Sequence, residues 1–219
     1  MASSVLDQLV SILAPPLCAA CGSIRAEGSV LCRECEAGMA STVPVIEAGP
    51  PGVDVAVAAA PFEGAARQVA LGLKYARRLS LARMAAAAML RALPAGERPD
   101  AVVPVPPGPW RWRWRGFDPA EEIALEVAKQ AAIPLSTCLV RDGGRRQVGR
   151  RRSERLANPP QVRVAGDAPR EALLVDDVWT TGATLSACAR ALREAGSRRV
   201  VALTFAHAIN GLARRETRA

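Results

Sequence analysis

Residues 173–192, LLVDDVWTTGATLSACARAL, constrain this chain more than any other stretch. Leu173, Leu174 and Val175 form a short apolar run of the kind shown by a strand buried on both faces. From Ala183 onward, apolar residues recur at helical spacing as far as Leu192. A strand therefore runs into a helix across VDDVWTTGAT. At that junction Thr180, Thr181, Gly182 and Thr184 offer hydroxyls and backbone N–H groups around one point, and glycine lets the backbone turn and approach an anion closely. Such a cradle suits a phosphomonoester. Asp176 and Asp177, just upstream, would repel a phosphate placed on them and suit hydrogen bonds from neighbouring sugar hydroxyls instead. The plainer alternative is an ordinary strand, turn and capped helix, with Trp179 either covering a sugar or simply packing.

The order of these residues, an apolar run, two acids, two threonines, glycine, alanine and a third threonine, resembles the phosphoribosyl pyrophosphate (PRPP) loop of type I phosphoribosyltransferases. The resemblance implies that Asp176 and Asp177 hold ribose hydroxyls and that Thr180, Thr181, Gly182, Ala183 and Thr184 hold the 5′-phosphate.

The 219 residues suit one α/β domain with a small appendage, and half of them are apolar, enough for a core. A formal charge of +8 and a pI near 9.9 point toward polyanionic partners, although the same charge also serves solubility. His207 is the only histidine, so serine or cysteine triads and histidine-rich metal sites are disfavoured; it reads as a structural or surface residue. No run approaches transmembrane length, and residues 1–13 lack the basic start of a signal peptide, so a cytoplasmic protein with no membrane insertion is expected.

Near the start, Val5, Leu6, Leu9, Val10, Ile12 and Leu13 line one face of a short helix stopped by Pro15 and Pro16. Cys18, Cys21, Cys32 and Cys35 follow as two Cys-x-x-Cys knuckles separated by ten residues. Two knuckles complete tetrahedral zinc with no place for water, which argues for a structural ion; redox or iron–sulfur use remains the alternative. Cys138 and Cys188 read as small buried residues. Prolines and glycines without periodicity make residues 40–53 a linker, and residues 53–60, ending at Pro61, read as an edge strand.

Helices are expected over 64–76 and 79–93, with Lys74 between them either a solvated charge or directed at a phosphate. A buried strand over 101–105 stops at a proline-rich loop. In WRWRWR, an extended chain places tryptophans on one face and arginines on the other, so Arg111, Trp112, Arg113 and Arg115 can hold single-stranded nucleic acid; the same residues also fit the underside of a lid. Asp118 and Pro119 open a helix to Gln130, and residues 135–140 read as a short strand. Residues 141–155, rich in arginine including Arg145 and Arg146, are expected to form a mobile basic loop that touches a pyrophosphate or a nucleic-acid backbone. A last strand covers 199–205.

Several motifs in order make the chain similar to the bacterial ComF (competence protein F) family over nearly its full length. They are the four cysteines, Leu73 and Lys74, Pro-Val-Pro at 104–106, RGF at 115–117, the 147–158 segment with Arg155, and VDDVWTTGAT. The resemblance implies a zinc ribbon in residues 1–45 and an α/β type I phosphoribosyltransferase-like domain, a parallel sheet flanked by helices, in residues 46–219. It adds Val105, Pro106 and Arg115 to the PRPP contacts, and Mg²⁺ accompanying PRPP. It also implies a role with single-stranded DNA during uptake, alongside other competence proteins such as a DNA-translocating helicase. Asp118 stands where the family usually has Asn, and the proline-rich loop over 104–109 departs from the small or basic residue that working phosphoribosyltransferases often set against pyrophosphate. Two readings follow: a DNA-handling competence factor with a PRPP-type pocket, or an active Mg-dependent transferase of purine-salvage type. In the second, Asp176 and Asp177 steady an oxocarbenium-like ribose while Lys74 and Arg115 take the leaving charge.

Overall fold

The computed structural model describes residues 16–25, 29–75, 79–108, 117–141 and 161–208. The predicted helix over 5–13, the WRWRWR segment and RGF as far as Gly116, the basic segment from residue 142 and the carboxyl-terminal tail lie outside the described residues.

A five-stranded sheet forms the centre. Its strands are β1 (Val45–Ala48), β2 (Val55–Pro61), β3 (Ala101–Pro104), β6 (Glu171–Trp179) and β7 (Arg199–His207), in the spatial order β1-β2-β7-β6-β3. Only β1 is antiparallel to its neighbour; β2, β7, β6 and β3 run parallel, so their carboxyl ends share one edge. A separate antiparallel pair joins β4 (Leu139–Arg141) to β5 (Val162–Val164). The predicted strand over 135–140 is thus shifted: Leu135 makes only a single parallel bridge to Val102, and the ladder begins at Leu139.

Strand side chains alternate between faces, and the sheet is covered on both. On one side, Leu173, Val175, Val201, Leu203 and Phe205 meet helices α2 (Gly64–Tyr75), α3 (Leu79–Ala92) and α4 (Pro119–Ala131) in one apolar cluster. On the other, Ala172, Leu174, Val200 and Ala202 meet α5 (Ala183–Glu194). Full coverage explains why β6 reads as a continuous apolar run and not as an alternating one. Small residues set the helix spacing: Ala82, Ala85 and Ala86 of α3 share the first cluster with Ala124 and Ala128 of α4.

The linker expected over 40–53 contains β1, whose four residues pair from Val45↔Ala58 to Ala48↔Val55. β2 is therefore an interior strand and not the predicted edge. Both departures have one cause: β1 is exposed along most of its length, so it carries no buried stripe that the sequence could advertise. Pro61 is tolerated because it ends β2, where the chain turns and Phe62 N donates to His207 O at 2.7 Å. The segment between β1 and β2 is held down by Arg193 of α5, which pairs with Asp54 at 2.5 Å and donates to Gly52 O at 3.3 Å.

Cys18 and Leu31 are buried within the same cluster as α2 and α3. The cysteine-bearing segment thus packs on the sheet's helical layer. The contact is close at Gly72, where an added methyl group would lie 2.9 Å from Leu81 Cδ1 and 3.2 Å from Ala19 O.

Candidate functional site

The β6–α5 junction emerges at the carboxyl edge of the parallel strands, where open α/β sheets usually hold their ligands. Asp176 and Asp177 lie on consecutive strand positions, so their side chains leave by opposite faces. Asp177 is buried and forms a salt bridge to Lys74 Nζ of α2 at 3.1 Å. Asp176 lies on the α5 side, where its charge acts on the buried Cys188 thiol, and its Oδ1 accepts from Asp177 N at 2.8 Å. The two acids, similar in sequence, thus hold different positions. Lys74 is neither a solvated helix charge nor unengaged; it is fixed at the acidic pair.

Burial of the carboxyl, followed by the charge of Asp177, pushes Asp176 well above the ordinary carboxylate range. The Asp177 N–H and Lys74 pull in the opposite direction, and Asp118 adds to the rise. Asp176 is half-buried as a residue, whereas Asp177 is buried. Asp118 also caps α4, its Oδ1 accepting from Ala120 N at 3.4 Å with Pro119 in the first helical position, as the sequence predicts.

Beyond β6 the chain turns through exposed Thr180 and Thr181 to Gly182, whose φ of 74° is the left-handed conformation that glycine adopts most readily. Space is closed there as well: a methyl group on Gly182 would lie 2.8 Å from Pro50 Cβ and 3.2 Å from Trp179 Nε1. Ala183 N makes a long contact of 3.5 Å with Thr181 Oγ1, and Thr184 stands in the first turn of α5. Thr180 and Thr181 therefore precede, and Thr184 lies within, the first turn of a 12-residue helix whose leading N–H groups have no partner in the helix. Trp179 packs: it stacks on His207 with ring centroids 3.9 Å apart and planes 10° from parallel. His207 is likewise buried, and burial lowers its pKa against the opposing charge of Glu47.

Val105 and Pro106 leave β3 beside this junction, and both are buried. Neither offers an N–H to a ligand, because Val105 N donates to Val175 O at 2.9 Å and proline has none. Arg111, Trp112, Arg113, Arg115, Arg145 and Arg146 lie outside the described residues. Arg141, expected to open a mobile basic loop, instead ends β4 in pairing with Val162, and Pro50 stands against the Gly182 turn. Pro50 has no local signal, since its contact with Gly182 depends on how the β1–β2 connection folds over the loop.

The four cysteines form a second site. Their sulfurs all lie within 4.8 Å of one another, with Cys21 Sγ 3.7 Å from Cys32 Sγ. Thiolates at about 2.3 Å from a tetrahedral ion sit about 3.8 Å apart, so the spacing suits such an ion. The first knuckle is a tight turn closed by Cys18 N donating to Ser23 O at 2.7 Å and Gly22 N to Cys18 O at 3.0 Å. The second leads into α1 (Arg33–Ala40), with Cys32 at its N-cap. Burial works against the Cys18 thiolate, yet N–H groups of Cys21, Cys32 and Ala20 outweigh it and bring the group down to about 6. Burial, reinforced by the other thiols, pushes Cys35 up. The cluster can hold a metal ion such as zinc.

These observations define the chain as a mixed α/β protein with a mostly parallel central sheet flanked by helices and a four-cysteine metal-type cluster near its amino terminus. Among the described residues no helix is long and apolar enough to cross a membrane. No family model matches the chain, and no curated protein does. Among solved structures it is similar to TT1426 from Thermus thermophilus, at 23% identity and a TM-score of 0.38 over 63% of this chain and 79% of that one.

Proposed function

We propose that this chain binds PRPP or a related phosphorylated ribose at the β6–α5 junction of a type I phosphoribosyltransferase-like domain, and that it acts as a ComF-like competence protein on incoming single-stranded DNA. The observation that carries the pocket is the left-handed Gly182 turn, placed between the acids of β6 and the first turn of α5. In this reading the 5′-phosphate lies on the N–H groups and hydroxyls of Thr180, Thr181 and Thr184, where the helix dipole favours negative charge. Asp176, reachable and held toward neutrality by burial, exchanges hydrogen bonds with ribose hydroxyls; Asp177 sits behind it, its charge offset by Lys74. Mg²⁺ accompanying the ligand would neutralise its pyrophosphate. The role in DNA uptake, with partners such as a DNA-translocating helicase, rests on the ComF resemblance. The cysteine ion is zinc in this reading, and its closed set of four thiolates makes it structural.

One observation favours a second reading, an active transferase. Lys74 Nζ, held 3.1 Å from Asp177, is a fixed cation beside the acids that can offset the negative charge developing on the departing pyrophosphate while the acids face the oxocarbenium-like ribose. Titration of the purified protein with PRPP and Mg²⁺, following pyrophosphate release across candidate bases, separates the two. Binding without release is expected; release with any base establishes the transferase. Absence of binding to PRPP and to ribose 5-phosphate sinks the pocket.

A further inference from the structure

The first turn of α5 has no side-chain cap: Gly182 stands at the N-cap position and makes no side-chain hydrogen bond. A capping side chain normally fixes the path of the chain into a helix. The nearest substitute is the 3.5 Å contact of Thr181 Oγ1 with Ala183 N. Instead the space that a side chain at 182 would fill is taken by two others. They are Trp179 and Pro50, whose Cβ and Cγ lie 2.8 and 2.9 Å from a methyl group built there. Pro50 opens a rigid turn between β1 and β2. Val53 N donates to Pro50 O at 2.9 Å, and Pro51 with Gly52, at φ 92°, hold the middle positions that a type II turn reserves for such residues. This turn lies along α5. Gly52 stands against Ala189, where a methyl group would be 3.2 Å from that residue's Cβ. Arg193, in the last turn of the helix, fixes the far end by donating to Gly52 O, Asp54 Oδ2 and Arg198 O. Asp54 Oδ2 also accepts from Val200 N at 2.7 Å, which ties the same clamp to β7.

We infer that Pro50 is a positioning residue for the phosphate site: the turn over 50–54, clamped to the far end of α5 by Arg193, holds Gly182 in the conformation that presents the leading N–H groups of the helix to an anion. The inference rests on the phosphoribose reading above and names what preorganises that site. A site built from backbone N–H groups binds more tightly when the chain is ordered before the ligand arrives, because ordering on binding subtracts from affinity. Proline suits the place, since its ring fixes its own backbone and its nitrogen carries no hydrogen to compete for the anion. Val53, buried in one cluster with Leu185, Ala189 and Leu192, keeps the turn seated on the helix. Pro50 touches no ligand in this reading and acts through Gly182. As a sequence, Gly-Pro-Pro-Gly reads as a linker, and only its packing along α5 gives it this role.

The test is calorimetric titration of the full chain with ribose 5-phosphate, for the native protein, Pro50→Gly, Arg193→Gln, Arg193→Lys and the double variant Pro50→Gly with Arg193→Gln. Each is titrated at a temperature at which circular dichroism shows it to be folded, and its melting temperature is recorded alongside. Pro50→Gly should bind about tenfold more weakly, since the turn must then be ordered on binding. Arg193→Gln, about 16 Å from Gly182 along the helix, should lose about threefold. Arg193→Lys, which returns a cation to Asp54, should recover part of that loss. The double variant should lose no more than Pro50→Gly alone, because both changes act through one turn. Melting temperatures that fall while ribose 5-phosphate affinity stays native would show that the turn only packs, and losses that simply add would show two unrelated effects; either overturns the inference and leaves the phosphate site standing. Should Pro50→Gly fail to fold, the Arg193 variants decide, native affinity in both overturning the inference and a loss partly recovered by lysine supporting it. A native protein that binds neither ribose 5-phosphate nor PRPP overturns the phosphoribose reading and this inference together.

Discussion

Asp176 shows how one residue reports on a whole site. Its carboxyl is surrounded by protein atoms, stands next to Asp177 and senses Asp118, and together these hold it well above the ordinary carboxylate range. Because the folded value is raised, the ligand-free protein gains stability below the ordinary carboxylate range and loses it as pH climbs through the raised value. Asp176→Asn should therefore raise the melting temperature relative to the native protein at mildly alkaline pH, with the difference vanishing near about pH 4, where both carry a neutral side chain. Melting curves across that range check it; a variant less stable at high pH would show that the ionised carboxylate is a stabilising partner. The strand-to-helix turn was legible from its residues, because a glycine between an apolar run and a helical pattern marks the left-handed position that Gly182 takes. The division of labour between the acids was not, since the sequence does not show that Lys74 comes from α2 to meet only Asp177.

At the scale of elements, the cysteine segment is the part whose folding depends on chemistry and not on a core of its own. α1 has no buried residues, and Cys18 and Leu31 are the segment's fully buried apolar residues among those described. A four-thiolate zinc site supplies on the order of 10 kcal/mol to such a segment. Cys32→Ser should therefore abolish stoichiometric zinc and open residues 16–35 to proteases while α3 to α5 persist. Metal analysis with limited proteolysis measures both, and a native protein purified without zinc would refute the assignment. The effect should extend to α2, because Gly72 sits against Ala19 O and the same helix carries Lys74. The knuckle spacing was readable as soon as it was seen. The strand β1 was not, because an exposed edge needs no apolar pattern and its pairing with β2 is made through the backbone.

At the scale of the molecule, the net charge of +8 is the property most directly tied to a nucleic-acid partner. If the arginines of WRWRWR contact single-stranded DNA, neutralising Arg111, Arg113 and Arg115 together should weaken binding and reduce the slope of log affinity against log salt by about 2. Fluorescence titration at several salt concentrations measures it, and an unchanged slope would show that the contact lies elsewhere. The residues themselves determined the apolar run of β6, the caps of α4 and α5, and the pairing of the knuckles, because local backbone geometry and ligand spacing depend on near neighbours. Only the tertiary structure decided that β2 is interior, that Asp177 faces Lys74, that Pro50 closes on Gly182 and that Arg141 lies against Gly108. Each of these joins residues distant in the chain, brought together by sheet order and parallel register, and the sequence carries no local record of either.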